Sequence, residues 1–548
     1  MQEDYQAILD ADQCRQHGDR IGWFQNIKKG LSYNYRNYEL YYMLGEFYLE
    51  ENPYKAYLCF ENAEYYCSNV EDYPIIIQAR HHLIDQGIVV PPVSIVILSY
   101  NAKTEMDLCL TSLRGTTFEA SREIIVIDNA SSDGVTDYLK EQTDIRLICN
   151  SENVGFPAGC NQGIIASHPE NDILLLNNDT VVTPNSIFWL RMGLYENTSI
   201  GATGSVSNHV SNYQQIPNVF QTPDEYMDYA VHHNIPMEDP YDHKLRLVGF
   251  AMLIKRTLLN EIGLLDERFS PGNCEDDDLS FRIIQSGRQL LLCKNSFIYH
   301  FGSRSFGKDM AKYATLLQTN ALKFKEKWGF DIRYYCYERR NVASFISEDP
   351  NTPINVLEIG CGMGATLGYI KNTHPSANVY GIELTDSVVR LAQNYIPNII
   401  CGNIEKIDLP YAEHSFDYII FADVLEHLID PDAVLCKVNK YLKPSGHVLA
   451  SIPNLMHYSV ILDLLKGNFT YQGSGILDRT HMRFYTLNEI HRMFNACGYS
   501  ITEMDASLFE TPLSDNDARL FEALIQLPGI APASDFHVYQ YLISACPK

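Results

Sequence analysis

Two series of short aliphatic runs, each run halting on polar residues, limit this chain's fold more than any other feature. The first series occupies residues 93–99, 124–128 and 173–177, and the second occupies 356–359, 379–383, 416–421 and 447–452. Runs this short, rich in Val, Ile and Leu and separated by stretches of helical pattern, are what a parallel sheet covered on both faces requires. Such sheets take their ligands beyond the carboxyl ends of the strands. The residues that end the runs therefore stand in a crevice: Tyr100, Asn101, Asp128, Asn177 and Asp179 in the first series, Glu358 to Gly364 and Glu383 in the second.

At 548 residues the chain has room for three or four domains of roughly 100–200 residues each. The pair Pro91-Pro92 closes a first region, since consecutive prolines cannot continue a helix, and a second boundary follows Lys327-Trp328-Gly329. The expected organisation is multidomain: an α-helical region over 1–89, an α/β domain over 92–331 and a second α/β domain over 332–548. In the first region Tyr41-x-x-Leu44-Gly45-x-x-Tyr48 precedes Ala56-x-x-x-Phe60-x-x-Ala63, with a fainter echo at Trp23, Ile27 and Gly30. This spacing resembles a tetratricopeptide (TPR) repeat, where small residues let antiparallel helices approach closely. One clear repeat, where about three are normal, leaves a plain helical hairpin packed on the next domain as the other reading.

A formal net charge of -26 argues against a nucleic-acid binder, which needs a basic patch. The stretch from Arg304 to Arg340 is locally basic; it reads as a solvated helical face or, alternatively, as a peripheral contact with anionic lipid or a diphosphate. The acidic N-terminus lacks the apolar segment of a signal peptide. No apolar run reaches the ~18–20 residues of a membrane span, so the expected location is the cytoplasm. The 14 cysteines include no Cys-x-x-Cys pair and read as reduced, mostly packed thiols.

The first series carries further motifs. Asp128-Asn-Ala-Ser-Ser-Asp133 follows the second run, Asn153-Val-Gly-Phe-Pro-Ala-Gly with Asn161 and Gly163 follows later, and Asn177-Asn178-Asp179 ends the third run. Glu275-Asp276-Asp277-Asp278 and Ile298-Tyr299-His300-Phe301 come last. Together these resemble an inverting family 2 glycosyltransferase of the GT-A fold, in its rhamnosyltransferase-like branch, over about 93 to 330. The resemblance implies a nucleotide-sugar donor, with Tyr100 and Asn101 at the entry to the nucleotide pocket and Asp128 at the base. Asn177 reaches the sugar or the metal, Asp179 and His300 hold a divalent cation, Mn²⁺ or Mg²⁺, and Asp276 is the general base. Positioned proton transfer is worth roughly 10²–10⁴ in rate. Four adjacent carboxylates repel, so at least one should titrate high, while Asp277 and Asp278 fit an acidic first helical turn.

In the second series, Glu358-Ile-Gly360-Cys-Gly362-Met-Gly364 follows a strand and opens a helix, and Glu383 ends the next strand. Asn403, Asp417, Asp423-Val-Leu-Glu426-His427 and Leu442-Lys-Pro-Ser-Gly446 follow in order. Glycines there let the backbone approach a cofactor where a Cβ would collide. The series resembles a Rossmann-like class I methyltransferase dependent on S-adenosyl-L-methionine, over about 332 to 548. By that resemblance Glu358 and the loop of Gly360, Gly362 and Gly364 hold the methionine portion, Glu383 the ribose and Asn403 the adenine, while Asp423 positions the cofactor. Asp478-Arg-Thr-His481-Met-Arg-Phe-Tyr resembles sugar-type and quinone-type O-methyltransferases, which makes His481 the candidate base and His427 its competitor.

The resulting expectation is a bifunctional enzyme that transfers a sugar and then O-methylates a sugar, in surface polysaccharide or flagellin glycosylation. Its acceptor would be a glycan, a lipid-linked glycan or a protein such as flagellin. Two alternatives stand beside it: a glycosyltransferase carrying a non-catalytic S-adenosylmethionine-binding module, and an enzyme whose N-terminal repeat is an adaptor for a protein acceptor.

Overall fold

The computed structural model describes residues 2–302, 310–510 and 512–548. Residues 304–309 of the basic stretch lie outside the described residues. The chain divides into two compact units, Met1–Trp328 and Gly329–Lys548.

The first unit opens with five helices: α1 (Gln2–Gln16), α2 (Arg20–Tyr33), α3 (Tyr38–Tyr48), α4 (Pro53–Tyr66) and α5 (Tyr73–Asp85). Local chemistry sets their starts. Asp19, Asn37 and Asn52 accept the backbone N–H of Gly22, Leu40 and Lys55, and Pro53 occupies the first turn of α4. The small residues act as the spacing predicts: a Cβ on Gly45 would collide with the Phe60 ring, and one on Gly30 would reach within 2.5 Å of Leu40. Their combined apolar face closes on Phe188, Trp189 and Met192 of the helix Ser186–Leu194. The buried guanidinium of Arg191 pairs with Glu61 of α4 and donates to the Pro91 carbonyl at 3.2 Å.

A nine-stranded sheet follows, built from β1 (Val93–Ser99), β2 (Arg122–Asp128), β3 (Arg146–Cys149), β4 (Asp172–Asn177), β5 (Thr180–Val182), β6 (Ile200–Val206), β7 (Tyr241–Lys244), β8 (Ala251–Ile254) and β9 (Gln289–His300). Its order is β3-β2-β1-β4-β8-β6-β9-β5, with β7 on β9. The first four strands are parallel. Register aligns Ser99 with Asp128 and Leu98 with Asn177, so the three aliphatic runs end level with one another.

The second unit holds a seven-stranded sheet of β10 (Asn355–Ile359), β11 (Asn378–Glu383), β12 (Ile399–Cys401), β13 (Phe416–Ala422), β14 (Leu442–Pro453), β15 (Tyr499–Leu508) and β16 (Val538–Pro547). The order is β12-β11-β10-β13-β14-β16-β15, parallel up to β14, with β16 antiparallel to both of its neighbours, β14 and β15. The strands β10 and β13 are central and largely buried, as their mainly apolar character requires. Among the described residues no helix is long and apolar enough to cross a membrane.

Candidate functional sites

At the carboxyl edge of the first sheet the chain turns sharply. Asn101 and Ala102 have φ of 58° and 62°, the left-handed region that non-glycine residues rarely adopt. The turn is held by side chains: Asn101 accepts from the Ser132 N–H at 2.9 Å, and its own N–H donates to the Ser131 hydroxyl at 2.8 Å. Asp128 is buried and takes the Ser131 N–H and the Thr136 hydroxyl, one on each oxygen. Tyr100 is 40% exposed over this turn. Asn178 donates to the Asn101 carbonyl at 3.5 Å and so links the turn to the end of β4.

Asn177, Asp179 and His300 converge beside it. The antiparallel pairing of β5 and β9 sets Thr180 opposite His300. His300 Nδ1 lies 2.7 Å from the His209 carbonyl, which can only accept, so that nitrogen carries a proton. His300 Nε2 faces Asp179 Oδ1 at 3.1 Å and Asn177 Nδ2 at 3.4 Å. With Nδ1 so engaged, Nε2 is left facing a carboxylate oxygen, an arrangement satisfied by a proton or by a cation between the two. The donor set fits a divalent ion.

Asp276 stands on the helix Glu275–Gln285. Its Oδ2 accepts the Gly249 N–H at 3.0 Å and its Oδ1 the Asp277 N–H at 2.9 Å. The side chain remains partly accessible. Burial and then the charge of Asp277 push its carboxyl up to about 6. Burial, followed by Asp276, pushes Glu275 well above the carboxylate range, and one of its oxygens meets no partner among the described residues. The other two acids are tied elsewhere: Asp277 to Arg246 at 3.1 Å, and buried Asp278 to Arg282, Trp328 and Lys327.

In the second unit Gly360, Gly362 and Gly364 all adopt positive φ. At Gly362 (φ 53°) the demand is most plain, since an added Cβ would stand 2.7 Å from the Tyr335 carbonyl oxygen. Glu383 accepts the Gly362 N–H at 3.0 Å and the Thr385 N–H at 2.8 Å, which ties the end of β11 to the glycine turn. Glu358 is buried with one oxygen unpartnered among the described residues, and burial pushes its carboxyl up to about 8 against a bond from Thr366. A glycine turn beside a buried carboxyl oxygen that lacks a partner among the described residues fits the ammonium end of S-adenosylmethionine. Asn403 Oδ1 accepts from the Glu405 N–H at 2.8 Å. Asp423 (φ 55°) follows β13 and is braced by Ser451 at 2.6 Å and by Gln540.

The structure adds Arg339 to the residues read from sequence. It pairs with Asp423 at 2.5 Å, and its N–H donates to Thr366 at 3.2 Å. It lies in the segment before β10, where no periodic pattern or motif singles it out. His427 and His481 meet edge to face with ring centroids 4.7 Å apart, next to Glu426. Burial, then His481, lowers the pKa of His427, whereas burial followed by Asp423 raises that of Glu426 well above its usual range.

Comparison with known proteins divides the chain the same way. The model of the family described as glycosyl transferase family 2 matches residues 94–263, and one described as a methyltransferase domain matches 330–504. The curated relatives that match include methyltransferases. A malonyl-[acyl-carrier protein] O-methyltransferase of Priestia megaterium is 30% identical over 18% of this chain and 37% of its own length. A ubiquinone biosynthesis O-methyltransferase of Nitrobacter winogradskyi is 28% identical over 30% of this chain and 62% of its own. The chain thus spans less than two thirds of each of these relatives. Among solved structures, GalNAc-T7 with UDP, GalNAc and Mn²⁺ is 15% identical with a TM-score of 0.36, covering 52% of this chain and 55% of that one. A putative methyltransferase in complex with the Haloferax volcanii Trm112 activator is 15% identical with a TM-score of 0.29, covering 41% of this chain and 95% of that one. One polypeptide therefore joins a glycosyl transferase family 2 domain to a methyltransferase domain.

Proposed function

We propose that this chain performs two successive group transfers: a sugar from a nucleotide-sugar donor to a glycan, lipid-linked glycan or protein acceptor, then a methyl group to a sugar hydroxyl. The observation that carries the proposal is the pair of polar side-chain clusters, each at the carboxyl edge of its own sheet. We assign 1–89 to a helical brace, 92–331 to sugar transfer and 332–548 to methyl transfer.

In the first crevice Tyr100, Asn101 and Asp128 receive the nucleotide and Asn177 the sugar. Asp179 and His300 would hold Mn²⁺ or Mg²⁺, which supplies charge neutralisation for the departing diphosphate. Asp276 takes the proton of the acceptor hydroxyl as its oxygen attacks the anomeric carbon, with inversion. A partly accessible carboxylate, raised toward neutrality and oriented by the Gly249 N–H, suits that task.

In the second crevice Glu358, the three glycines, Glu383, Asn403 and Asp423 would hold S-adenosylmethionine, which supplies the methyl group. His481 is the residue we place at the acceptor hydroxyl. Both donors are products of cytoplasmic metabolism, and we place the enzyme there, in surface polysaccharide or flagellin glycosylation. The test is a mass-spectrometric assay of extracted native acceptor with a panel of nucleotide sugars, with and without S-adenosylmethionine. A hexose or deoxyhexose increment, followed by a methyl increment only when S-adenosylmethionine is present, is the expected result; an acceptor unchanged by every donor refutes the proposal.

A further inference from the structure

Glu426, His427 and His481 come together in the second unit without belonging to the glycine cradle. A carboxylate oxygen and one ring nitrogen from each histidine all lie within 4.8 Å of one another. Glu426 is 1% exposed, and neither of its carboxylate oxygens meets a hydrogen-bond partner beyond its own backbone N–H among the described residues. Buried carboxyls are almost always satisfied, so one left with no more than that points to a missing ligand.

The rings support the same reading. His481 Nδ1 lies 2.9 Å from the Ile476 carbonyl. His427 Nδ1 lies 3.2 Å from the Thr480 carbonyl and 3.2 Å from the Thr480 hydroxyl, whose own proton goes to Asp478 at 2.6 Å. Nothing facing either Nδ1 has a proton to give it. Each imidazole therefore carries its proton on Nδ1 and its lone pair on Nε2, the tautomer of metal-ligating histidines whose other nitrogen donates to a carbonyl. Two backbone bonds preset the arrangement: the Met482 and Arg483 N–H groups donate to the Glu426 carbonyl at 2.7 and 3.0 Å. They staple the segment 478–483 onto the turn Leu425–His427.

We propose that Glu426, His427 and His481 bind one divalent transition-metal ion, and that its open coordination positions hold the acceptor hydroxyl for methylation. Two imidazoles with one carboxylate suit Zn²⁺, Mn²⁺ or Fe²⁺. The proposal rests on the methyl-transfer reading for the second of these two statements only. A hydroxyl bound there gives its proton to water, its oxygen attacks the methyl carbon, and the carbon–sulfur pair stays on sulfur as S-adenosylhomocysteine leaves. His481 then acts as a ligand and solvent as the base.

The test uses Co²⁺ as probe and the full chain carrying His300→Ala, which removes the imidazole of the first unit. One equivalent of Co²⁺ should bind, with visible d–d absorption and two exchangeable, hyperfine-shifted imidazole N–H resonances. Adding His427→Ala or His481→Ala should weaken that binding by about tenfold or more, while S-adenosylmethionine affinity by calorimetry changes by less than about twofold. The proposal is overturned if Co²⁺ fails to bind, or if both substitutions leave its binding intact. Should either variant misfold, the His300→Ala protein alone decides, and absence of the two shifted resonances overturns the site. Co²⁺ binding with both resonances, in a protein that does not bind S-adenosylmethionine, supports the site and refutes the methyl-transfer reading instead.

Discussion

Asp276 Oδ2 accepts the Gly249 N–H at 3.0 Å, and through that bond the acidic helix is fixed to the edge of the first crevice. The next residue, Phe250, takes the Asn177 N–H on its carbonyl at 2.8 Å and lays its ring on His300, centroids 5.2 Å apart and 24° from parallel. Two residues of main chain thus connect the candidate base to the candidate metal side. A shift of either would be felt by the other.

The raised pKa of Asp276 sets a pH dependence. A base must be ionised to act, and burial with the adjacent Asp277 charge holds its carboxyl up to about 6. The kcat/KM for sugar transfer should therefore rise with pH through about 6 and level off above it. For stability the sign is opposite: the ionised form is the one burial penalises, so this group's contribution weakens as pH rises from 3.8 through about 6. A rate profile flat from pH 5 to 8, measured with saturating metal, would be inconsistent with Asp276 as base.

Metal dependence should follow the Asp179–His300 pair. Chelation should abolish sugar transfer, and His300→Ala should raise the Mn²⁺ concentration for half-maximal activity by about tenfold or more. S-adenosylmethionine affinity should not change. Unaltered Mn²⁺ dependence in the variant would remove His300 from the coordination sphere.

Gly362→Ala should lose S-adenosylmethionine binding by more than about tenfold, which is about 1.4 kcal/mol. The new Cβ meets a backbone carbonyl and the residue must hold φ of 53°. Gly473→Ala, where the added Cβ meets nothing within 4 Å, is the control. Equal calorimetric affinities for the two variants would show that the glycine turn does not carry the cofactor.

Glu61→Ala should lower the thermal stability of the first unit sharply. It leaves Arg191, with a side chain 7% exposed, without its carboxylate, and an uncompensated buried charge costs about 3–5 kcal/mol. A fall in Tm of less than about a degree, by calorimetry, would show the ion pair to be dispensable. The same geometry bears on the adaptor idea: removing residues 1–89 also uncovers Phe188, Trp189 and Met192, so lost activity would not by itself reveal acceptor recruitment. Substitutions at exposed Ile21, Val70 or Ile75, which leave the brace intact, separate the two effects.

Much of this was readable in the residues because parallel strands advertise themselves. The aliphatic runs ending at Ser99, Asp128, Asn177, Ile359 and Glu383 form strands that end as expected, because both faces of each are buried. Glycines needing positive φ were equally visible. The long-range partners were not. Nothing about Gly249 in sequence indicates that its N–H holds Asp276, and no spacing brings Arg339 to Asp423 or Glu426 to His481. Those contacts arise from the return of distant segments across the sheet edge, where single side chains carry no periodic signal. The segment before β10 reads as a junction, yet it supplies the Tyr335 carbonyl against Gly362 and the Arg339 guanidinium.

The central claim, two transfers at two separable sites in one chain, is tested most directly by acceptor mass under crossed substitution. With donor sugar and S-adenosylmethionine both present, the unaltered protein should yield a glycosylated and methylated product. Asp276→Asn should lower sugar addition by about 10²–10⁴ yet still methylate acceptor that already carries the sugar. Glu383→Ala should add the sugar at the full rate and stop there. Failure of folded Asp276→Asn to methylate acceptor that already carries the sugar, loss of sugar addition in folded Glu383→Ala, or retention of both increments in both variants would contradict the account.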